Sequence, residues 1–217
     1  MQAAPPMSRG DAPPITDAVV VNLPKLVIEE DGVRIETLPA ARYAAEHEVY
    51  DAFTSGKHCC CLFSLSQPEP ARKRDAWPES KRTLSAVAVD LATDAVIGTI
   101  QGVGFGDPCD MHTCKRGELH VEHLAVSAGA RGKGVGTKLL RWMEAAARAR
   151  GCAVLTLGVL RGNPARRLYE RFGFEVKRHD CCEEAITCCF VTCGMGRPYG
   201  LCHASWGGDD MVKALAT

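Results

Sequence analysis

The chain has 217 residues, of which 46% are hydrophobic and 24% are charged, a composition that suits one folded domain with a sizeable core. Its 26 lysine and arginine residues equal its 26 aspartate and glutamate residues in number, so no overall charge attracts it to nucleic acid or to an anionic membrane. No stretch reaches the roughly 18 apolar residues of a membrane span. We expect no nucleic-acid partner, no membrane association and a cytoplasmic location.

Residues 1–25 are rich in proline and small residues and lack the apolar centre of a secretory signal. This composition predicts a disordered leader, with an organelle targeting peptide as the alternative. We expect one folded domain over 26–200 and a tail over 201–217.

The chain contains 12 cysteines, many of them in clusters. They lack the paired C-x-x-C spacing of a structural zinc site, so we interpret them as reduced thiols used as small apolar residues and expect no metal. Two alternatives stay open, namely redox switching and a metal site near the carboxyl terminus. That metal site would use Cys181, Cys182, Cys202 and His203.

The first predicted elements are a strand and a helix. Alternation predicts the strand at 32–38, and the apolar spacing after Pro39 predicts the helix at 40–53. Residues 66–82 are polar and rich in proline, which predicts an exposed excursion with a short helix, close to a substrate site.

Three strands are predicted next. Apolar runs at 84–89 and 95–103 form an antiparallel hairpin, and the strand 118–126 follows the loop 104–117. Simple alternation divides the side chains of this third strand between two faces. Leu119, Val121, His123 and Ala125 lie on one face, and His120, Glu122, Leu124 and Val126 lie on the other. The second face mixes polar and apolar residues, which indicates a cleft, whereas His123 is expected to face a helix in the core.

The second half of the chain alternates helix and strand. Apolar residues recur at helical spacing over 137–150, and Gly151 ends this helix. The apolar run 153–160 is typical of a strand buried on both faces. A short helix opens at Pro164 and ends at Gly173, and two more strands follow. These are 174–179 and 186–195.

The turn between the strand 118–126 and the helix 137–150 carries three glycines and two cations. They are Arg131, Gly132, Lys133, Gly134 and Gly136. Glycines let the backbone approach a ligand, and the amino end of a helix attracts anions, so the turn predicts a phosphate site. The order Gly136-Thr137-Lys138 is the reverse of a Walker loop, and neither the glycine spacing nor the antiparallel sheet fits a dinucleotide fingerprint.

The pattern Arg131-x-x-Gly134-x-Gly136, followed by NPARRLYERFGF at 163–174, closely resembles the GNAT superfamily of acetyl-CoA-dependent N-acetyltransferases. The resemblance covers about residues 84–178. It implies an α/β fold with a mixed central sheet of about six to seven strands, flanked by helices and splayed between 118–126 and 153–160. It also implies acetyl transfer from acetyl-CoA to a primary amine by direct attack in a ternary complex, by a monomer or a homodimer.

The same resemblance implies the residues of the coenzyme site. These are Leu124, Ala125, Val126, Arg131, Gly132, Lys133, Gly134, Val135, Gly136, Thr137, Asn163 and Arg166. The backbone near Val126 would bind the pantetheine arm and polarise the thioester carbonyl. Tyr169 matches the tyrosine that protonates the leaving thiolate in the family, and Asn163 also caps the short helix.

Before an amine can attack the thioester, it has to lose a proton. His120 and Glu122 on the predicted cleft face are the candidates for this base, and a solvated strand face is the structural alternative. The stretch has a weak similarity to the arylalkylamine (serotonin) N-acetyltransferase branch, which has histidines at both positions. Here the second position is Glu122, a departure from that branch.

Three function classes stay open from the sequence. The first is the amine acetyltransferase, whose acceptor is a small amine, an arylalkylamine or a peptide amine. The second is a catalytically inactive, acyl-CoA-binding GNAT-like module. The third is a metal or redox sensor built on the carboxy-terminal cysteines.

Overall fold

The computed structural model describes residues 26–54, 78–107, 112–160, 163–177 and 208–215. Within these ranges, eight strands form one open sheet. They are β1 (Ile28–Glu30), β2 (Val33–Thr37), β3 (Ser85–Asp90), β4 (Val96–Gly104), β5 (Glu118–Val126), β6 (Val154–Leu160), β7 (Glu175–Val176) and β8 (Gly208–Ala214). Their order across the sheet is β1-β2-β3-β4-β5-β6-β8-β7, and all neighbours are antiparallel except the parallel pair β5 and β6. The mixed sheet confirms the predicted fold class, although it has eight strands where about six to seven were expected.

Helices pack on both faces of this sheet. They are α1 (Tyr43–Thr54), α2 (Glu79–Thr83), α3 (Val135–Ala149) and α4 (Arg166–Phe172), and a 3-10 turn at Ala40–Arg42 leads into α1. On one face, Tyr43 of α1 packs against a small cluster formed by Leu38, Val87 and Val89. The larger core lies on the α3 face. None of the helices in the described ranges combines the length and apolar character needed to cross a membrane.

The larger core is built on the helical stripe predicted from the sequence. The stripe residues Leu139, Leu140, Met143, Ala146 and Ala147 are fully buried in α3. They share one apolar cluster with Ile100 of β4 and Leu119 of β5. Burying a leucine or methionine side chain contributes about 1.5–3 kcal/mol, so this stripe holds α3 against the centre of the sheet.

Two glycines of β4 allow α3 to approach the sheet closely. A Cβ atom on Gly98 would lie 3.1 Å from Leu139 Cδ1 and 3.2 Å from the backbone oxygen of Ala125. A Cβ atom on Gly102 would lie 2.9 Å from Met143 Sδ. Any side chain at either position would therefore force α3, or the side chains that it packs against β4, to shift.

A β-bulge changes the faces of β5. The register with β4 passes from Gln101 opposite His123 to Gly102 opposite Val121, so Glu122 is the extra residue. As a result Leu124 and Val126 pack with the α3 core, whereas simple alternation placed them on the face of His120. That prediction was wrong, and so was the opposite placement of His123. The His123 ring lies on the face of His120 and contacts the Tyr50 ring of α1 at 4.7 Å between centroids.

The structure also changes the boundary of the domain. The range 201–217 was expected to be a tail, but Gly208–Ala214 forms β8 between β6 and β7. This strand carries two aspartates and no regular alternation, so its pairing with β6 rather than its own sequence pattern specifies it. The short strand β1 was likewise missed, and the strand predicted at 186–195 lies outside the described residues.

We predict that Gly98→Ala destabilises the fold more than Gly102→Ala. Overpacking a core costs typically about 1–3 kcal/mol. A new Cβ at Gly98 meets a backbone oxygen that cannot move away, whereas at Gly102 the terminal atoms of Met143 can rotate to make room. Urea unfolding of both variants measures the difference. A larger loss of unfolding free energy in Gly102→Ala would contradict this explanation.

Candidate active site

The sheet opens between the carboxyl halves of β5 and β6. Their parallel pairing runs from Glu118 opposite Val154 to Val121 opposite Leu157. Beyond that point β5 continues to pair with β4 and β6 continues to pair with β8, but no ladder joins 122–126 to 158–160 within the described chain. The predicted splay is confirmed, and it leaves the backbone edge of β5 accessible beside a gap.

The glycine-rich turn lies at the end of this gap. A 3-10 turn at Ala128–Ala130 follows β5, and α3 begins at Val135. Gly132 and Gly134 have φ of 76° and 78°, a left-handed conformation that favours glycine, and there is open space where their Cβ atoms would lie. The guanidinium Nε of Arg131 donates a hydrogen bond of 3.1 Å to the Val126 carbonyl, which ties the turn to the end of β5.

This turn has the properties of an anion-binding site. The first-turn amides of α3 have no acceptor inside the helix, and the helix dipole adds a partial positive charge there. Arg131 and Lys133 are exposed beside these amides. The residues present therefore fit a phosphate-bearing ligand such as a coenzyme A pyrophosphate.

Helix α4 packs directly against the first turn of α3. A Cβ atom on Gly136 would lie 2.9 Å from Leu168 Cδ2. The neighbouring Tyr169 is buried, and its ring forms a T-shaped contact with Phe174 at 6.1 Å between centroids. Asn163 Oδ1 accepts a hydrogen bond of 2.9 Å from the Ala165 amide, but α4 begins two residues later than predicted and its N-cap is Ala165, so the predicted capping by Asn163 was wrong. The structure thus brings the segment that carries Tyr169 next to the glycine-rich turn.

Arg166, also expected in the coenzyme site, has protein partners. Its Nη1 lies 2.5 Å from Asp209 Oδ2 of β8, and its Nε lies 2.8 Å from Glu170 Oε1. The side chain therefore links α4 to the strand that the sequence analysis missed.

His120 lies at one end of a chain of hydrogen bonds near the amino end of β5. The Thr156 hydroxyl donates to Glu118 Oε1 at 2.6 Å, and His120 Nδ1 lies 2.9 Å from the same hydroxyl oxygen. Because the hydroxyl has only one proton, Nδ1–H of His120 has to donate to it. This assigns the neutral tautomer whose Nε2 carries a lone pair.

A second histidine stacks on His120. The His112 ring lies parallel to it, with 4.1 Å between centroids, and His112 Nε2 lies 2.6 Å from Glu118 Oε1. Burial, reinforced by His112, lowers the pKa of His120 to about 4, so its imidazole is neutral at pH 7. Burial raises the pKa of Glu118, but hydrogen bonds from Thr156, the Lys115 amide and His112 outweigh that effect and lower it overall.

Glu122 has different partners from His120. Its Oε2 lies 3.2 Å from Lys81 Nζ and accepts a hydrogen bond of 2.7 Å from the Gln101 amide. Only 10% and 11% of the Lys81 and Glu122 side chains are exposed. Sequence reasoning missed both partners, because Lys81 lies in a segment whose polar composition predicted exposure and only the tertiary fold buries it.

Comparison with known proteins identifies the family. The chain matches the model of the Acetyltransferase (GNAT) family over residues 47–174, which is more than half its length. The chain belongs to this GNAT family. The match includes the strand of His120, the glycine-rich turn and the helix of Tyr169, so the three parts of the candidate site all lie inside the family domain.

Individual GNAT relatives agree with this. Acetyltransferase Atu2258 of Agrobacterium fabrum is 45% identical over 64 residues, which are 29% of this chain and 44% of that protein, so the match spans less than half of that relative. A GCN5-related N-acetyltransferase from Kribbella flavida has 20% identity and a TM-score of 0.59, over 85% of this chain and 98% of its own. The putative acetyltransferase yncA from Salmonella typhimurium, solved with its cofactor acetyl-CoA, has 22% identity and a TM-score of 0.58, over 86% and 95%. At such identities the two structures show a shared fold.

We predict that Lys81 stabilises the GNAT domain by compensating the buried charge of Glu122. Removing one partner of a buried ion pair costs about 3–5 kcal/mol, because the other charge stays buried alone. Lys81→Met is therefore expected to destabilise strongly, and adding Glu122→Gln is expected to restore much of the loss. Urea unfolding of the four proteins in this double-mutant cycle gives the coupling free energy. A double variant no more stable than Lys81→Met would argue against the ion pair.

Proposed function

We propose that this chain is an N-acetyltransferase that transfers the acetyl group of acetyl-CoA to a primary amine by direct attack in a ternary complex. The observation that carries the proposal is the gap between β5 and β6 with the glycine-rich turn at its end. A long ligand with a phosphate at one end fits this arrangement, since the gap offers a backbone edge and the turn offers amides and cations. The acetyl-CoA in the yncA structure supports the same ligand.

The proposed coenzyme-binding residues are taken from those expected from the sequence. Residues 131–137 hold the pyrophosphate, and the backbone of 124–126 binds the pantetheine arm. The Val126 amide acts as the donor to the thioester carbonyl, where negative charge develops during acyl transfer. When bound, acetyl-CoA supplies an activated acetyl group.

The chain's own side chains move the protons. His120 and Glu122 are the proposed acceptors of the amine proton, directly or through water, and they lie next to Val121, where the gap begins. Tyr169 is the proposed donor to the departing thiolate. Its phenol, with a reference pKa near 10, keeps its proton at neutral pH and is able to donate it.

The amine itself is best found by a screen. Acetyl-CoA is incubated with the protein and a mixed amine library, and thiol release together with mass spectrometry of the acetylated products identifies the acceptor. Release of the coenzyme A thiol that depends on the added amine would support the proposed acetyltransferase activity. Coenzyme binding without any release across small amines, arylalkylamines and peptide amines would favour the inactive binding module.

We predict that Gly134→Ala weakens acetyl-CoA binding at least tenfold, a difference of about 1.4 kcal/mol. A methyl group at this position projects into the open space proposed for the pyrophosphate and strains the left-handed backbone. The measurement is the rise in melting temperature with acetyl-CoA, which binds only the folded state and adds about 2.7 kcal/mol at a hundred times its dissociation constant.

Gly151→Ala is the matched control for this variant. Gly151 lies just past the other end of α3, has a similar φ of 69° and also has open space around its missing Cβ. Both variants carry comparable strain, but only Gly134→Ala is expected to reduce the rise in melting temperature. If acetyl-CoA raised the melting temperature equally in both variants, the glycine-rich turn would not be part of the coenzyme site.

We predict that Tyr169→Phe lowers turnover by about 10²–10⁴-fold, the range typical of general acid catalysis. The substitution keeps the buried ring beside Phe174 and removes only the hydroxyl, so acetyl-CoA binding and the melting temperature are expected to change little. Tyr43→Phe, a tyrosine packed on the opposite face of the sheet, is the control. Turnover of Tyr169→Phe within about threefold of wild type, with chemistry rate-limiting, would reduce Tyr169 to a packing role.

A further inference from the structure

We propose that His112, Glu118 and His120 form a binding site for a transition-metal ion of the Zn²⁺ class. One ligand atom from each residue lies within 4.8 Å of the other two. Glu118 and His120 are two residues apart on β5, and the loop before the strand brings His112 onto the same face. This cluster lies where β5 and β6 are still paired, apart from the glycine-rich turn, so the proposal does not depend on the coenzyme site.

The ligand set suits a borderline metal ion. Two imidazoles and one carboxylate are a recurring set for Zn²⁺, with a fourth position left for water or another ligand. Hard ions such as Mg²⁺ prefer oxygen ligands and keep several waters. The two nitrogen donors therefore favour Zn²⁺, Co²⁺ or Cu²⁺ over Mg²⁺.

Thr156 holds two of the ligands in a suitable orientation. It accepts a hydrogen bond from His120 Nδ1 and donates one to Glu118 Oε1. Metal-bound histidines commonly use their second ring nitrogen in this way, because the outer hydrogen bond fixes the tautomer and the ring plane. The hydrogen bond leaves Nε2 of His120 as the free donor atom.

The site has room for an ion and a further ligand. A cavity of about 330 Å³ is lined by His112, Glu118, His120 and Thr156. The cations on its rim, Lys115, Arg116 and Lys177, are exposed, so solvent and salt screen their charges. Asp210 adds a second carboxylate to the cavity wall.

Closing the site requires the stacked rings of His112 and His120, whose planes are 14° apart with 4.1 Å between centroids, to tilt so that their in-plane lone pairs meet at the ion. Ligand atoms in a tetrahedral Zn²⁺ site lie about 3.3 Å apart, given metal bonds of about 2.0–2.1 Å. His112 Nε2 and Glu118 Oε1 are 2.6 Å apart because they share a proton. The ion replaces this proton, which leaves Nε2 for Nδ1 of the same ring or for solvent, and the two atoms then separate slightly. An ion bound here also takes the His120 lone pair, so metal binding and proton uptake by His120 exclude each other.

The experiment is a calorimetric Zn²⁺ titration of the full chain after its accessible cysteines have been alkylated under native conditions. Alkylation is needed because thiolates compete for Zn²⁺. The variants are His112→Ala and Glu118→Gln, which remove one ligand each, and Thr156→Val, which keeps the side-chain shape but removes the hydroxyl. His123→Gln is the control, since His123 lies on the same face of β5 but outside the cluster. Circular dichroism without metal checks that each variant is folded.

We expect the alkylated wild type to bind one equivalent of Zn²⁺ and not to bind Mg²⁺. His112→Ala and Glu118→Gln should each lose this equivalent, Thr156→Val should weaken it about 10–100-fold, and His123→Gln should retain it. The Co²⁺ complex should show the visible bands of a tetrahedral ion without sulfur-to-metal charge transfer. No binding by the wild type, or binding unchanged in His112→Ala and Glu118→Gln, would overturn the proposal. Neither amine nor coenzyme is present, so this result is independent of the proposed function.

Discussion

The pairing of β5 changes at two consecutive residues, and the candidate site depends on this change. The parallel ladder with β6 ends at Val121, and Glu122 is the extra residue of the bulge against β4. A bulge bends its strand and increases the local twist, so the carboxyl half of β5 leaves β6 while it stays paired with β4. The gap and the position of the charged residues at its start therefore share one cause. The bulge also lets His120 and His123 share a face, with the bulged Glu122 between them in the sequence.

A gap in a sheet can bind a phosphate-bearing ligand only if an anion site lies at its end, and close packing of α3 provides this. Gly98 and Gly102 let α3 lie directly on β4, and Gly136 lets α4 lie on the first turn of α3. The hydrogen bond from Arg131 to the Val126 carbonyl then fixes the turn against β5. The three glycines allow close approach by lacking a side chain, and the Arg131 side chain adds a hydrogen bond, so together these contacts hold the amino end of α3 beside the gap.

The sequence predicted those parts of the molecule whose signal is local. The strand at 118–126, the apolar stripe of α3 and the glycine-rich turn each carry their information within one short window. The bulge at Glu122, the strand β8 and the burial of Lys81 depend on partners far along the chain, so alternation and composition misjudged them. His112 is the clearest case, because only the path of the loop 112–117 brings it onto His120 and Glu118.

Burial and the hydrogen-bond chain from His120 through Thr156 to Glu118 together determine the charge and the tautomer of His120. Burying an imidazole favours its neutral form, and the Thr156 hydroxyl decides which nitrogen keeps the proton. A neutral ring with a fixed tautomer has one lone pair in a known position, which is what a proton acceptor and a metal ligand both require. Glu122 differs in this respect, because Lys81 and Gln101 already satisfy the charge of its carboxylate. His120 and Glu122 looked equivalent in the sequence, but the fold gives them different environments. The available lone pair is on His120.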